Sequence, residues 1–184
     1  MSQSPPNQWR SRLVLLLVAA AFLGSFGIAA LLRFAGWQPQ GMRNHGELLQ
    51  PPLNLATQPL LRADGSRFEW RPERNTWRLL VAPAPGCAQE CTRTLDALHR
   101  LWLSEGRKAE RVELLWFGPL PEGPRFRALV PMRADARVAA LLPQPATAAA
   151  LPVYLVDPDG YLVLHYRPGY ELGGMRKDLG KLVK

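Results

Sequence analysis

The chain has 184 residues, of which 47% are apolar and 21% charged, and its formal net charge is +8. This balance excludes a chain that is disordered throughout and predicts one domain of ordinary size with some additional sequence. Most of the positive charge is arginine, but it is scattered, with no run of five or six basic residues and no nucleic-acid-binding motif. We therefore expect no nucleic-acid partner.

The first element along the chain is an uncharged stretch, LVLLLVAAAFLGSFGIAALL, from Leu13 to Leu32. As a helix it is about 30 Å long, which matches the hydrocarbon core of a bilayer. Arginines flank it on both sides, and Trp37 is placed as an interfacial anchor. The stretch is longer than the apolar region of a signal peptide, and no clean cleavage site follows it. The sequence therefore predicts an uncleaved transmembrane helix at 13–33.

The basic residues on the two sides of this helix are nearly balanced, so they code its orientation only weakly. Residues 1–12 are too few to form a domain, which places the functional part after the helix. With residues 1–12 as a cytoplasmic tail, we expect a single-pass protein of the bacterial inner membrane whose C-terminal domain lies in the periplasm. The periplasm is an oxidising compartment in which close cysteines can form a disulfide.

The segment 34–59 is rich in proline, glutamine, asparagine and glycine, and it predicts an extended linker before a domain at 60–184. The domain starts with LLRADGSRFEW, whose Asp-Gly pair predicts a hairpin. The elements expected after it are a strand at 77–82, a helix at 88–106 closed by Gly106, a strand at 111–118, an irregular proline-rich segment at 119–131, a helix at 133–142, two strands around a tight turn within 151–166, and a helix at 173–184.

This order of elements is that of the thioredoxin fold, an α/β architecture with a mixed central sheet flanked by helices. The two cysteines of the chain, Cys87 and Cys91, fall in the first turn from strand to helix. In open α/β sheets, reactive groups lie beyond the carboxyl ends of the strands. The cysteine pair therefore lies where this architecture places its chemistry.

Cys87 is predicted at the start of a helix, where free N–H groups and the helix dipole favour its thiolate and a nucleophilic role. Cys91 lies one turn later, in a stripe with Leu95, Leu98 and Trp102 that predicts burial. In a regular helix the two Cα atoms would be about 6 Å apart, which permits a disulfide. The pair can thus be a redox couple with Cys91 as the resolving cysteine. It can also be a soft-metal site for Cu(I) or Zn, or Cys91 can be a small core residue.

The chain contains three histidines, His45, His99 and His165. His45 falls in the predicted linker, and His99 is expected to face solvent. His165, in the last strand, is the best-placed third ligand for a metal held by the cysteines, although a histidine in a strand is more often structural. Pro152 directly precedes a strand, where thioredoxin-like folds have a cis-proline facing the cysteines; an ordinary proline at a strand start is the alternative.

The segment RLLVAPAPGCAQECTRTLDALHRL resembles the Sco/SenC branch of thioredoxin-like proteins, which are membrane-anchored cytochrome c oxidase assembly factors with a C-x-x-x-C copper motif. LLRADGSRFEW is similar to the early hairpin of that family, and VYLVDPDGYLVLHY to its late strand pair with an Asp-Pro-x-Gly turn. The similarity covers residues 50–184. The third copper ligand of the family is a histidine shortly before the segment that corresponds to YLVD, where this chain reads QPATAAALP.

The resemblance implies a membrane-anchored thiol–disulfide protein that assists cytochrome c oxidase assembly, with a membrane complex such as the oxidase subunits as its partner. The first alternative is a copper metallochaperone that binds Cu(I) through Cys87 and Cys91, with His165 or a partner residue completing the site. The second is a non-catalytic thioredoxin-like adaptor. As an enzyme the chain would be a thiol–disulfide oxidoreductase, because it has no triad order, phosphate loop or zinc-type His/Glu pair for hydrolase chemistry.

Overall fold

The computed structural model describes residues 8–34 and 44–183. The chain divides into two compact units, one that contains the N-terminal helix and one that begins at Asn44. Residues 1–7 and 35–43 lie outside the described part. Trp37, most of the predicted tail and the first part of the predicted linker fall among them.

The N-terminal unit contains the helix α1 (Gln8–Phe34). Its segment Arg12–Leu32 has 21 residues and is long and apolar enough to cross a membrane. Large apolar side chains such as Phe22 and Leu23 are exposed along it. A helix that is apolar all round and covered by no protein core has the surface that a membrane span requires. The structure therefore has one candidate membrane span among the described residues, at the position that the sequence predicts.

The second unit contains the sheet and the remaining helices. Its strands are β1 (Glu47–Asn54), β2 (Trp77–Val81), β3 (Val112–Phe117), β4 (Leu129–Met132), β5 (Val153–Val156) and β6 (Tyr161–Tyr166). Its helices are α2 (Gln89–Ser104), α3 (Ala136–Leu141) and α4 (Leu172–Leu182), with two short 3-10 helices at Pro72–Arg74 and Gly106–Arg111. Gly106, with a φ of +58°, follows the end of α2 and closes it as predicted.

The strands form a single mixed sheet in the order β1-β6-β5-β2-β3-β4. The pairs β2–β3 and β3–β4 are parallel, whereas β2–β5, β5–β6 and β6–β1 are antiparallel. A mixed sheet with helices on its faces confirms the predicted thioredoxin-like α/β fold. β2 lies inside the sheet between β3 and β5, and its carboxyl end leads directly into the cysteine turn.

Two hydrophobic cores cover the two faces of the sheet. Successive side chains of β2 point to opposite faces, so the strand contributes residues to both cores. Leu79 and Val81 point to the face covered by α2 and α4, which we call the α2 face. Leu80 points to the opposite face, covered by α3 and the segment 55–68, which we call the α3 face. The two faces therefore have separate interiors, and a side chain on one face does not meet the core of the other.

Helix α2 buries the stripe that its sequence predicts, with one change. Cys91, Leu95 and Leu98 are buried in the α2-face core, but the fourth position belongs to Leu101. Trp102 is only partly buried, and its Nε1 donates a hydrogen bond to the Ala109 carbonyl oxygen at 2.9 Å. The indole N–H needs an acceptor, which holds the ring at the edge of the core, whereas leucine carries no polar atom into it.

The sequence analysis missed two strands, and both lie at an edge of the sheet. β1 falls in the segment predicted as an extended linker, contains Pro51 and Pro52, and shifts register between Leu48 and Leu53. β4 falls in the segment predicted as irregular and contains Pro131. Proline cannot donate to a strand ladder and is tolerated in edge strands. The prolines that suggested irregular backbone are therefore compatible with two edge strands.

Both predicted tight turns are present. In the first, the Arg62 N–H donates to the Ser66 carbonyl oxygen at 2.8 Å, and Gly65 has a φ of +85°. In the second, the Gly160 N–H donates to the Asp157 carbonyl oxygen at 3.1 Å, and Gly160 has a φ of +92°. A Cβ at Gly160 would lie 2.8 Å from the Cβ of Ala56. Backbone conformation and space therefore both require glycine at this position.

Asp178 of α4 ties the first residues of the domain to its last helix. Its buried carboxylate accepts hydrogen bonds from the N–H groups of His45 at 2.7 Å and Gly46 at 3.0 Å, and from the Tyr166 hydroxyl at 3.2 Å. Burial raises the pKa of Asp178, but these hydrogen bonds together hold it below its ordinary value. A Cβ at Gly174 would lie 2.7 Å from the His45 ring, so the approach depends on that glycine.

The Asp178→Ala substitution is expected to lower the free energy of unfolding by about 2–4 kcal/mol, because it leaves buried donors without their charged acceptor. Urea unfolding of the full chain in neutral detergent, followed by tryptophan fluorescence, measures this. Because the folded pKa of Asp178 is depressed, its contribution is present above the ordinary value of 3.8 and is lost as the pH falls further. The Asp96→Ala substitution, at an exposed position of α2, is the control. Equal unfolding midpoints for the two variants would contradict this role.

Candidate redox site at the Cys87–Cys91 disulfide

Cys87 and Cys91 are joined by a disulfide in the connection between β2 and α2, and their Cα atoms are 5.6 Å apart. The helix begins at Gln89, one residue after the predicted start at 88, so Cys87 precedes α2 by two residues. The turn before the helix, and not the repeat of a regular helix, brings the two cysteines together. The Cα separation falls within the range of about 4.4–6.8 Å that disulfides require.

The backbone before Cys87 forms a tight turn. Gly86 has a φ of +80°, a conformation that residues with a side chain rarely adopt. The Cys87 N–H donates to the Ala84 carbonyl oxygen at 3.3 Å, which closes the turn. The two residues predicted to shape this approach, Pro85 and Gly86, are both exposed at the turn. The turn thus presents the first cysteine at the carboxyl end of an interior strand.

The two sulfurs lie in different environments. Cys91 is only 3% exposed and belongs to the α2-face core, whereas Cys87 is partly exposed and lies at the border of that core. Ala88, the residue that caps α2, offers no side-chain hydrogen bond to the first N–H groups of the helix. These groups and the positive end of the helix dipole favour a negative charge on the adjacent Cys87 sulfur. One sulfur is thus accessible and electrostatically favoured as a thiolate, and the other is shielded.

Two charged residues of opposite sign flank the disulfide on α2. Glu90 would disfavour a thiolate and Arg93 would favour it, and the sequence leaves their balance open. In the structure the two side chains form a salt bridge with a distance of 4.0 Å between Nη1 and Oε2. Because the partners lie next to each other, their fields partly cancel at the sulfurs. The pair therefore adds no single uncompensated charge beside the disulfide.

Tyr170 lies against the same region of α2, although no motif in the sequence points to it. It packs on the α2-face core, and its side chain lies near Thr94, one turn after Cys91. Burial raises the pKa of Tyr170 to about 12, and the charge of Glu90 acts in the same direction, whereas Thr94 opposes it. The phenol therefore stays protonated at neutral pH. Tyr170 follows β6, far from the cysteines in sequence, which is why only the fold brings it here.

Pro152 lies immediately before β5 and is buried. Its neighbours Leu151 and Val153 belong to the α2-face core, the same core that contains Cys91. Among the described residues, the cis peptide bond of the chain is Gln50–Pro51, so the bond before Pro152 is trans. The predicted cis-proline is therefore wrong for this structure, and Pro152 is an ordinary proline at the start of a strand.

His165 lies on the α3 face of the sheet, away from the cysteines. It pairs with Tyr154 across β5 and β6, and the two rings stack with centroids 5.2 Å apart. Tyr154 belongs to the α3-face core, whereas Cys91 belongs to the α2-face core. The sheet therefore separates His165 from the disulfide, and the prediction of His165 as a third metal ligand is wrong. Burial lowers the pKa of His165, while Glu47, with Oε2 3.8 Å from Nδ1, opposes this shift.

The other two histidines are also engaged elsewhere. His45 contacts Asp178, and His99 packs on Phe126 with ring centroids 4.6 Å apart. In residues 8–34 and 44–183, no group of three or more His, Cys, Asp or Glu side chains is arranged to hold a metal ion. The described residues therefore do not fit a copper site built from two sulfurs and one imidazole.

Solved structures of similar fold include members of the Sco family. The apo Sco1 protein from Thermus thermophilus is 17% identical, with a TM-score of 0.53 over 76% of this chain and 96% of that chain. Yeast Sco1 is 15% identical, with a TM-score of 0.51 over 73% of this chain and 92% of that chain. BsSco, a cytochrome c oxidase assembly protein in which a disulfide switch has been identified, is 14% identical, with a TM-score of 0.50 over 72% and 95% of the two chains. At these identities the likeness shows the fold.

Comparison with curated proteins gives no match to this sequence. A family model described as the transmembrane-like, thioredoxin-like, C-terminal domain matches residues 77–184, from the first residue of β2 onward. This match covers more than half of the chain and includes both cysteines, the five strands β2 to β6 and the helices α2, α3 and α4. The chain therefore belongs to the transmembrane-like, thioredoxin-like, C-terminal domain family.

Proposed function

We propose that this chain is a membrane-anchored thioredoxin-like thiol–disulfide protein of the bacterial inner membrane that assists the assembly of cytochrome c oxidase. The observation that carries the proposal is the disulfide between the partly exposed Cys87 and the buried Cys91, at the carboxyl end of β2. The Sco-family structures of similar fold, one of them described as having a disulfide switch, support the pathway. The sequence QPATAAALP, without a histidine, supports thiol exchange over copper delivery.

In the proposed reaction the reduced chain transfers two electrons to a disulfide of the partner. The Cys87 thiolate attacks one partner sulfur, and the other partner sulfur leaves as a thiolate and takes up a proton. Cys91 then loses its proton and attacks the Cys87 sulfur of the mixed disulfide, which releases the second partner thiol. The products are the Cys87–Cys91 disulfide and a partner with two thiols. A dithiol protein is the class of reductant that regenerates the chain.

The different burial of the two sulfurs supports this division of roles. Cys87 must reach the partner disulfide, and in regeneration the sulfur of the reductant must reach Cys87; the partly exposed Cys87 offers access for both steps. Cys91 is surrounded by apolar side chains, so a thiolate there lacks hydration and reacts onward within the mixed disulfide. With only 3% of Cys91 exposed, its sulfur is shielded from water by the α2-face core.

The Cys91→Ser variant is expected to accumulate a mixed disulfide with its partner, because the resolving thiol is missing. Purification of the variant from membranes without reductant, followed by non-reducing gels and mass spectrometry, detects this adduct. The Cys87→Ser variant is the matched control and should trap nothing, since Cys91 is buried. Trapping by Cys87→Ser and not by Cys91→Ser would reverse the roles. A double alanine variant with full oxidase assembly would instead favour a non-catalytic adaptor.

Copper binding is separable from thiol exchange by titration of the reduced full chain with Cu(I) in the presence of a chromophoric chelator. We expect the chelator to retain the copper, because the two thiolates have no imidazole beside them in the described structure. The Cys87→Ser variant should give the same curve. One equivalent of Cu(I) held by the wild-type chain and lost in Cys87→Ser would establish the metallochaperone in place of the redox protein.

The proposed topology places the C-terminal domain in the periplasm. Alkaline phosphatase fused after Lys184 should be active, because that enzyme needs an oxidising compartment for its own disulfides. A green fluorescent protein fused at the same position should remain dark after export in unfolded form. A fluorescent fusion combined with an inactive phosphatase would place the domain in the cytoplasm, where a stable disulfide is not expected.

A further inference from the structure

A second polar site lies at the end of β2 opposite the disulfide. It is a cleft of about 300 Å³ between the segment 62–74 and the first residues of β2 and β3. We call it the arginine pocket. Its lining consists of five arginines, two glutamates and one phenylalanine: Arg62, Arg67, Arg71, Arg74, Arg78, Glu69, Glu113 and Phe68. A concave site lined mainly by positively charged side chains attracts negatively charged ligands.

Arg78 forms the base of the pocket, and only 3% of its side chain is exposed. Its Nε donates to Glu113 Oε2 at 3.1 Å, and Nη1 donates to the carbonyl oxygens of Thr76 and Pro158. The guanidinium lies over the Trp70 ring, 4.8 Å from its centroid. Within the described part of the chain, Nη2 has no hydrogen-bond acceptor. A buried guanidinium that lines a cleft thus retains an unused donor group.

The two glutamates of the pocket do not neutralise its arginines. Glu69 pairs with Arg71 at 3.1 Å, and Glu113 pairs with the buried Arg78. Across residues 8–34 and 44–183, the other three pocket arginines form no salt bridge; they are Arg62, Arg67 and Arg74. The lining carries five positive and two negative charges, and Glu73, Asp157 and Asp64 act on Arg78 and Arg62 from outside it. Arg67 and Arg74 are the exposed arginines of the rim, and a bound anion would lower the repulsion between them.

We infer that the arginine pocket binds an oxyanion of the phosphate class. A phosphate group presents several acceptor oxygens around one centre, whether it is a monoester with close to two negative charges or a diester with one, and so it can contact several guanidinium groups at once. Guanidinium groups match phosphate oxygens with paired N–H donors. The free Nη2 of Arg78 provides the buried contact, and Arg67 and Arg74 provide contacts from the rim, where both are exposed.

The oxyanion can be a soluble phosphate compound or the phosphodiester headgroup of an anionic lipid, because the same chain carries a candidate membrane span. The site is independent of the proposed redox function. It adjoins the amino end of β2, whereas the cysteine turn follows the carboxyl end, and the five residues of the strand separate the two by about 15 Å. Anion binding should therefore not require an intact Cys87–Cys91 pair.

Isothermal titration calorimetry of the full chain in neutral detergent at low salt tests the inference, with sodium pyrophosphate and glycerophosphoglycerol as probes. We expect one equivalent of anion to bind. The Arg67→Gln/Arg74→Gln double variant should bind at least about tenfold more weakly, through the loss of two charge-assisted contacts. Arg100→Gln/Arg107→Gln is the matched control, with the same charge change at exposed positions of α2 and the following 3-10 helix, and its affinity should stay within about twofold of wild type.

Preference for pyrophosphate over the phosphodiester identifies a soluble phosphate compound, and comparable or tighter binding of the phosphodiester identifies a lipid headgroup. Both results support the oxyanion pocket. The inference is wrong when neither probe binds at millimolar concentration, or when the control variant loses affinity as much as the pocket variant. Unfolding midpoints of both variants are compared with wild type, and because the substituted side chains are exposed we expect no change. A Cys87→Ser/Cys91→Ser variant that binds normally separates this result from the redox proposal.

Discussion

Backbone hydrogen bonding on both edges of β2 is the constraint on which the rest of the domain depends. β2 pairs in parallel with β3 and in antiparallel with β5, so each of its side chains is committed to one face of the sheet. A shift of one residue would exchange the faces and bury Arg78 in the α2-face core. The register thus fixes both the core and the direction in which the chain leaves toward Cys87.

This commitment to faces separates the polar groups of the domain into independent sites. The disulfide belongs to the α2 face and the carboxyl end of β2, whereas His165 belongs to the α3 face, so the two cannot share a ligand. Arg78 belongs to the amino end of the same strand and takes its partner, Glu113, from the adjacent position of β3. Which polar residues of this domain act together therefore depends on their position along a strand and on the face of the sheet, more than on their separation in the sequence.

The same physics explains how much could be predicted from the sequence. The fold class, the two glycine turns, the burial of Cys91 and the closure of α2 at Gly106 depend on local patterns, and the structure confirms them. The edge strands β1 and β4 were not predicted, because their prolines are more typical of irregular backbone than of a strand. Tyr170 and Asp178 were not predicted because each acts with residues from distant segments, which no local pattern records. The five arginines of the pocket lie close together in sequence, but only the fold buries Arg78 and pairs it with Glu113 of β3. The pairing of Asp178 with His45 spans almost the whole domain.

The location of the disulfide has a further consequence for its chemistry. In the proposed exchange, the bonds that form and break lie in the connection 82–88 and the first turn of α2, outside the strands of the sheet. Cys91 is held on a helix that is anchored by Leu95, Leu98 and Leu101, so the resolving sulfur cannot move far from Cys87. A tethered, shielded thiol has a high effective concentration toward the mixed disulfide. For the proposed exchange, this arrangement favours a short-lived mixed disulfide, because the attacking sulfur of Cys91 is already next to Cys87.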